Sequence, residues 1–204
     1  EITKAATAHL PLETRALPSN GLTSEQMAHA IRNVGLEPFL VKASNPYVLK
    51  STVYAYLRGK VPILMGFILQ DRSDPKTPVD IGKHAVAVTG FSLGKSKSTP
   101  ITGTKFFLKA SMMEKIYVHD DQVGPFARME MISTGPTDSY LSTSWKGRDG
   151  KIGSVVAIPT ILMVPLYHKV RIPFNMVHDS VFSLNNSVIE PLRATGALTL
   201  PESL

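Results

Sequence analysis

The hydrophobic rhythm of the chain changes after Gly59. Before it, apolar residues recur at helical spacing. After it, they alternate or run together in short blocks, the habit of strands. Ile2, Ala5, Ala6 and Leu10 predict a helix over residues 1–10 that Pro11 ends. Thr23-Ser24-Glu25-Gln26 is a capping-box pattern, with Thr23 as N-cap and Gln26 at the third helical position. Met27, Ala30, Ile31 and Val34 then make one apolar face, and Gly35 stands where a helix stops. Residues 37–41 predict a short strand. Asn45 caps a further helix with Pro46 in its first turn, and Gly59 follows its end. The buried face of that helix is expected to be Leu49, Val53, Tyr54 and Leu57.

Beyond Gly59 the pattern is that of a sheet. Residues 61–69 predict a buried strand, and a polar loop over 70–81 leads to the next. Ala85-Val86-Ala87-Val88 has the composition of a strand buried on both faces, with Gly82 and Gly90 punctuating its ends and His84 at its mouth. A surface loop is expected over 92–103, and strands over 104–110, 114–121 and 125–132. In the last of these Phe126, Arg128 and Glu130 oppose Ala127, Met129 and Met131. Met112, Met113, Met129 and Met131 read as core filler. The segment 133–151 is polar and turn-rich and holds the only tryptophan, Trp145. A strand over 153–164 and a helix over 174–192 complete the chain. Helices first and an antiparallel sheet after define an α+β arrangement. Residues 1–132 form a core, and 133–204 a β-rich extension ending in a helix, read as part of the same domain.

Composition narrows the function classes. Of 204 residues, 43% are hydrophobic and 19% charged, which argues against wholesale disorder. No apolar run reaches the roughly 18 residues of a spanning helix, so no membrane span is expected. The net charge is +6, but the densest basic stretch, Gly94-Lys95-Ser96-Lys97-Ser98, carries no aromatic residue, so no nucleic-acid partner is expected. With no cysteine there is neither a disulfide nor a thiolate metal site, which fits a cytoplasmic setting. No cofactor is expected.

Two strand ends carry titratable groups. His84 opens one strand, and His119-Asp120-Asp121 closes another. Alternation puts Tyr117 and His119 on one face of the second strand and Val118 and Asp120 on the other. If the two strands are antiparallel neighbours, Asp120 meets the His84 imidazole. A carboxylate there fixes the tautomer and leaves the other ring nitrogen to activate a nucleophile. His9 and His29 lie on helices and read as surface or half-buried groups. His168 and His178 are the candidates to join His119 and Asp121 around a metal, but no metal-ligand spacing supports such a site and none is expected.

These elements together resemble the papain-like cysteine peptidases of the bacteriocin-leader-processing type and their bacterial relatives. Gly59-Lys60-Val61-Pro62 resembles the family's Gly-x-Pro strand entry. His84-Ala85-Val86-Ala87-Val88-Thr89-Gly90 resembles its histidine strand, and Tyr117-Val118-His119-Asp120-Asp121 its aspartate strand. His119 stands where the family usually has Asn, and Asp121 where it has Pro. The resemblance covers roughly residues 1–132, each motif alone being weak. It implies a papain-like α+β fold, a peptide or protein substrate and amide hydrolysis, with His84 as general base and Asp120 as its orienting carboxylate. The family's nucleophile is a cysteine at the start of the first long helix, where helix-end N–H groups lower the thiol pKa. This chain has none, and Thr3 and Thr7 lie inside the predicted helix rather than at its start. The expectation is therefore a cysteine upstream of Glu1, and no peptidase activity from these 204 residues alone. The alternative is a non-catalytic peptide-binding module on the same fold.

Overall fold

A computed structural model describes residues 22–43, 45–95, 108–133, 139–170 and 172–198. The helix expected over 1–10, with Thr3, Thr7 and His9, lies outside them. So do residues 104–107 of one expected strand and residues 96–103 of the loop before it.

Helix α1 spans Ser24–Asn33 and begins on the full capping box. The Thr23 backbone N–H donates to Gln26 Oε1 at 2.8 Å, and the Gln26 N–H donates to Thr23 Oγ1 at 3.2 Å. Gly35 takes the left-handed conformation, φ 81°, that a β-carbon would disfavour, and the helix stops there. The apolar face differs from the expected one. Ala28 and Ile31 are buried, whereas Val34 is the C-cap and is exposed. The helix packs on Met163 through that short face, which ends at Ile31.

Strand β1 is Leu36–Lys42, and helix α2 is Pro46–Arg58, capped by Asn45 Oδ1 accepting from the Val48 N–H at 2.8 Å. Leu49, Val53 and Tyr56 are buried, while Tyr54 and Leu57 pack at the margin. The buried face is thus turned toward Tyr56, whose hydroxyl accepts from the Phe174 N–H at 3.1 Å and ties down the C-terminal helix. Strands β2 (Ile63–Asp71), β3 (Val79–Leu93), β4 (Met113–Asp120), β5 (Gly124–Ser133), β6 (Ser139–Ser142) and β7 (Val155–Tyr167) follow. Helix α3 is Phe174–Leu184; a π-helical turn, Asn185–Ile189, joins it to α4, Glu190–Ala194. Lys109–Met112 form a 3₁₀ turn, so the strand expected over 104–110 does not extend through its last residues.

All pairings in the sheet are antiparallel, and the order is β1-β7-β2-β3-β4-β5-β6. β6 also pairs with β7, with Leu141 opposite Ala157, so six strands close on themselves. One edge of β7 pairs with β2. The other edge pairs with β6 near Ala157 and with β1 from Ile161 onward. Helix and antiparallel sheet together make an α+β protein. Pro159 lacks an N–H, and β7 accommodates it at a bulge opposite Gly66–Phe67. The hydroxyl of Thr160 then donates to the Gly66 carbonyl at 3.0 Å. A β-carbon on Gly66 would lie 2.9 Å from Ile161 Cγ2, which explains a glycine in mid-strand. The core lies inside the closed sheet and under α2, built from Ile63, Met65, Phe67, Val88, Ile116 and Met129 among others. α1 covers part of the opposite face, at Met163 and Leu64. Met113 and Met129 are fully buried in apolar company, as the sequence suggested.

The loop between β2 and β3 is tied to the segment after β6 by one carboxylate. Asp71, 4% exposed, accepts from the Ser73 hydroxyl at 2.6 Å and the Ser73 N–H at 2.8 Å, and its other oxygen accepts from the Arg148 N–H at 2.9 Å. These bonds, the Ser73 hydroxyl first, hold its pKa below the usual carboxylate range. A depressed folded pKa gives stability that is present above the unfolded value, about 3.9, and lost as pH falls through the folded value. Asp71→Asn is therefore expected to lower the urea midpoint at pH 7. Its gap from the wild type should begin to narrow below about pH 4, where the unfolded chain takes up the proton, and close only once pH has fallen through the lower folded value. A gap independent of pH would mean that the charge at Asp71 contributes nothing.

Candidate functional site

His84 does not open its strand. It is the sixth residue of β3, because pairing with β2 continues back to Val79 through a bulge between Leu69 and Gln70. Nor is the strand buried on both faces. Val86 and Val88 are buried, Ala85 is exposed and Ala87 is half-buried. The small side chains at 85 and 87 reflect an outer face with little to pack against. Gly82 and Gly90 both lie within the strand instead of ending it.

Alternation turns His84 toward the core side with Val86 and Val88. Its partner across β2 is Phe67, and the two rings meet edge to face with centroids 5.5 Å apart. On the other side, Ala87 pairs with His119, so β4 ends diagonally across from His84. Asp120 and Val118 share the buried face of β4, while His119 is exposed and its ring packs on Phe126. This is the facing that the sequence alternation gave. The structure brings His84 and Asp120 together: Nε2 lies 3.4 Å from Asp120 Oδ1. That exceeds an ordinary N–H···O bond of about 2.7–3.2 Å.

Asp120 has no exposed side-chain surface. Its Oδ1 also accepts from the backbone N–H groups of Gln122, at 2.7 Å, and Val123, at 3.1 Å, closing the turn after β4. The turn thus fixes the carboxylate. Its Oδ2 is buried without a hydrogen-bond partner, and so is His84 Nε2. Asp121 approaches the same ring nitrogen, with Oδ1 3.3 Å from Nε2 and a side chain 83% exposed.

Sequence reasoning missed the walls of the site. Trp145, placed in a polar turn-rich segment, is 7% exposed and stands 5.6 Å from the Phe67 ring and 6.4 Å from the His84 ring. A lone tryptophan in a polar run was the available signal, since a ring that large seldom stays in water. The approach of Asp121 to His84 was also missed, because strict alternation holds only until the strand ends. The other histidines lie elsewhere. His168 packs on Tyr167, and the Nε2 of His178 is hydrogen-bonded to the Tyr47 hydroxyl while its Nδ1 meets Asp179 at 3.0 Å. His119, His168, His178 and Asp121 form no common cluster among the described residues. The one such grouping there is His84, Asp120 and Asp121.

Chemically, the imidazole of His84 is walled by aromatics, 12% exposed, and faced at Nε2 by two carboxylates. Such a ring can exchange a proton through Nδ1 while Nε2 is held, or offer Nε2 to a cation. No protein-family model, curated protein or solved structure matches the chain. Among the described residues, no helix is long and apolar enough to cross a membrane.

Proposed function

We propose that this chain carries the His–Asp half of a papain-like cysteine hydrolase acting on a peptide or protein amide, in a cytoplasmic setting. The observation that carries the reading is the buried pairing of His84 Nε2 with Asp120 Oδ1 at 3.4 Å, on adjacent antiparallel strands. The motif order of the sequence supports it, as does a fold with a capped helix against a closed antiparallel sheet. In this reaction the cysteine thiolate attacks the carbonyl carbon. His84 holds the thiol proton and delivers it to the leaving amine, and water then hydrolyses the thioester. Asp120 orients the ring and stabilises the imidazolium. With Nε2 turned to the carboxylates, Nδ1 is the nitrogen left to carry the proton. The nucleophile is not among these residues, because the sequence has no cysteine.

The test supplies that nucleophile. The parent gene is sequenced upstream of Glu1, and the longer polypeptide is assayed for alkylation by iodoacetamide and for peptide hydrolysis. A cysteine that alkylates rapidly and needs His84 to do so is the expected result. An upstream stretch without cysteine would favour the second reading, a peptide-binding module, which the missing cysteine itself recommends. That module should bind peptides while leaving them intact.

A further inference from the structure

Charge around His84 is not balanced by the protein. Asp120 and Asp121 bring two carboxylates to one ring nitrogen, and the only ion-pair partner of either among the described residues is His84. Yet the chain as a whole carries six more basic than acidic groups. Inside this cluster, Asp120 is wholly buried with Oδ2 accepting no hydrogen bond, and His84 Nε2, though faced by two carboxylates, is buried without a hydrogen bond too. A buried carboxylate oxygen without a donor is costly, and native proteins satisfy such atoms with a protein donor, an ordered water or a metal.

The spacing is a second, independent indication. The two N···O separations, 3.4 and 3.3 Å, are long for hydrogen bonds. With Asp120 Oδ1 and Asp121 Oδ1 as the donors, they match two of the three edges such a set would share with a tetrahedron: bonds of about 2.0–2.1 Å from a central zinc give ligand–ligand edges of about 3.3–3.4 Å. The three donor atoms all lie within 4.8 Å of one another.

We propose that His84 Nε2, Asp120 and Asp121 form a binding site for a divalent cation of the zinc type, with the fourth position open to water. A neutral imidazole and two carboxylates neutralise such an ion. The supporting groups are in place. Phe67 and Trp145 fix the ring, and the Gln122 and Val123 N–H groups hold Asp120 through Oδ1. Exposed Asp121 is the side of entry. Only the closing of β4 beside β3 assembles this set, which has no signature along the chain. The site stands on side chains present here and does not require the hydrolase reading. A cation on Nε2 would take the nitrogen that Asp120 otherwise orients, so occupancy and His–Asp catalysis exclude each other, and the ion would act as an inhibitor.

Isothermal titration of the metal-free 204-residue chain with zinc chloride tests this, beside His84→Ala and Asp121→Asn. Asp121 is largely exposed, so its variant keeps the fold even if His84→Ala does not, and circular dichroism checks both. The expected result is one zinc per chain, with affinity reduced at least about 10–100-fold in Asp121→Asn and further in folded His84→Ala. No zinc uptake by the wild type would overturn the proposal. So would equal uptake by wild type and Asp121→Asn, which would place the ion on the other histidines. Zinc binding at His84 together with no activity in the metal-free, cysteine-bearing polypeptide would retire the hydrolase and leave the metal site standing.

Discussion

Phe67→Ala is expected to lower the free energy of unfolding by about 3–5 kcal/mol, the usual cost of emptying a fully buried aromatic site. Phe67 is 2% exposed and sits in mid-β2, between β3 and β7. Its ring touches both His84 and Trp145, so the loss falls on the core and on the wall of the site together. Urea denaturation followed by Trp145 fluorescence reads both, since the only tryptophan is a reporter placed beside the cavity. A cost under about 1 kcal/mol would mean that the neighbouring side chains close the gap, and that the aromatic wall is not rigid.

Asp120→Asn is expected to have the largest effect on chemistry. In a polypeptide that supplies the cysteine, kcat/KM should fall by about 10³–10⁴-fold, because the imidazolium loses its buried charged partner, keeping only solvent-screened Asp121, and the amide can impose the wrong tautomer. The amide oxygen can still accept from Gln122 and Val123, so the turn should survive and the loss can be read as chemistry. His119→Ala, one residue away, should leave the rate nearly unchanged. Its ring lies on the exposed face against Phe126. Should His119→Ala prove the more damaging change, the functional face of β4 is the outer one and the His84–Asp120 pair is structural.

Local chemistry explains which parts of the molecule were legible from residues alone. The capping box at Thr23–Gln26, the Asn45-Pro46 helix start and the alternation from Ala127 to Met131 depend on neighbours within a few positions. The same holds for the facing of Val118 and Asp120, because a pleated strand turns successive side chains to opposite sides. Those rules fixed the α+β class and nominated His84 and Asp120 as neighbours before any pairing was known. Burial on particular helix faces was less legible. Val34 was expected inside and is 67% exposed, while Tyr56 was not expected inside and is 8% exposed. Helical periodicity places a stripe only to within a residue or so; the sheet packed against it settles the rest.

Tertiary structure alone decided three things. β3 proved to be long and one-sided, because its partner β2 extends past His84 to Asp71, a length set by pairing. Trp145, out of any local hydrophobic pattern, was drawn into the core when β6 closed the sheet onto β7 and Asp71 clasped the Arg148 backbone. Asp121 reached His84 only because β4 ends there and the chain leaves its pleat. By itself the sequence determined which side chains each element offers and to which face. Distances between elements far apart in the chain follow from register and closure, which no local pattern encodes. Those distances are what turned a histidine and two acids into one site.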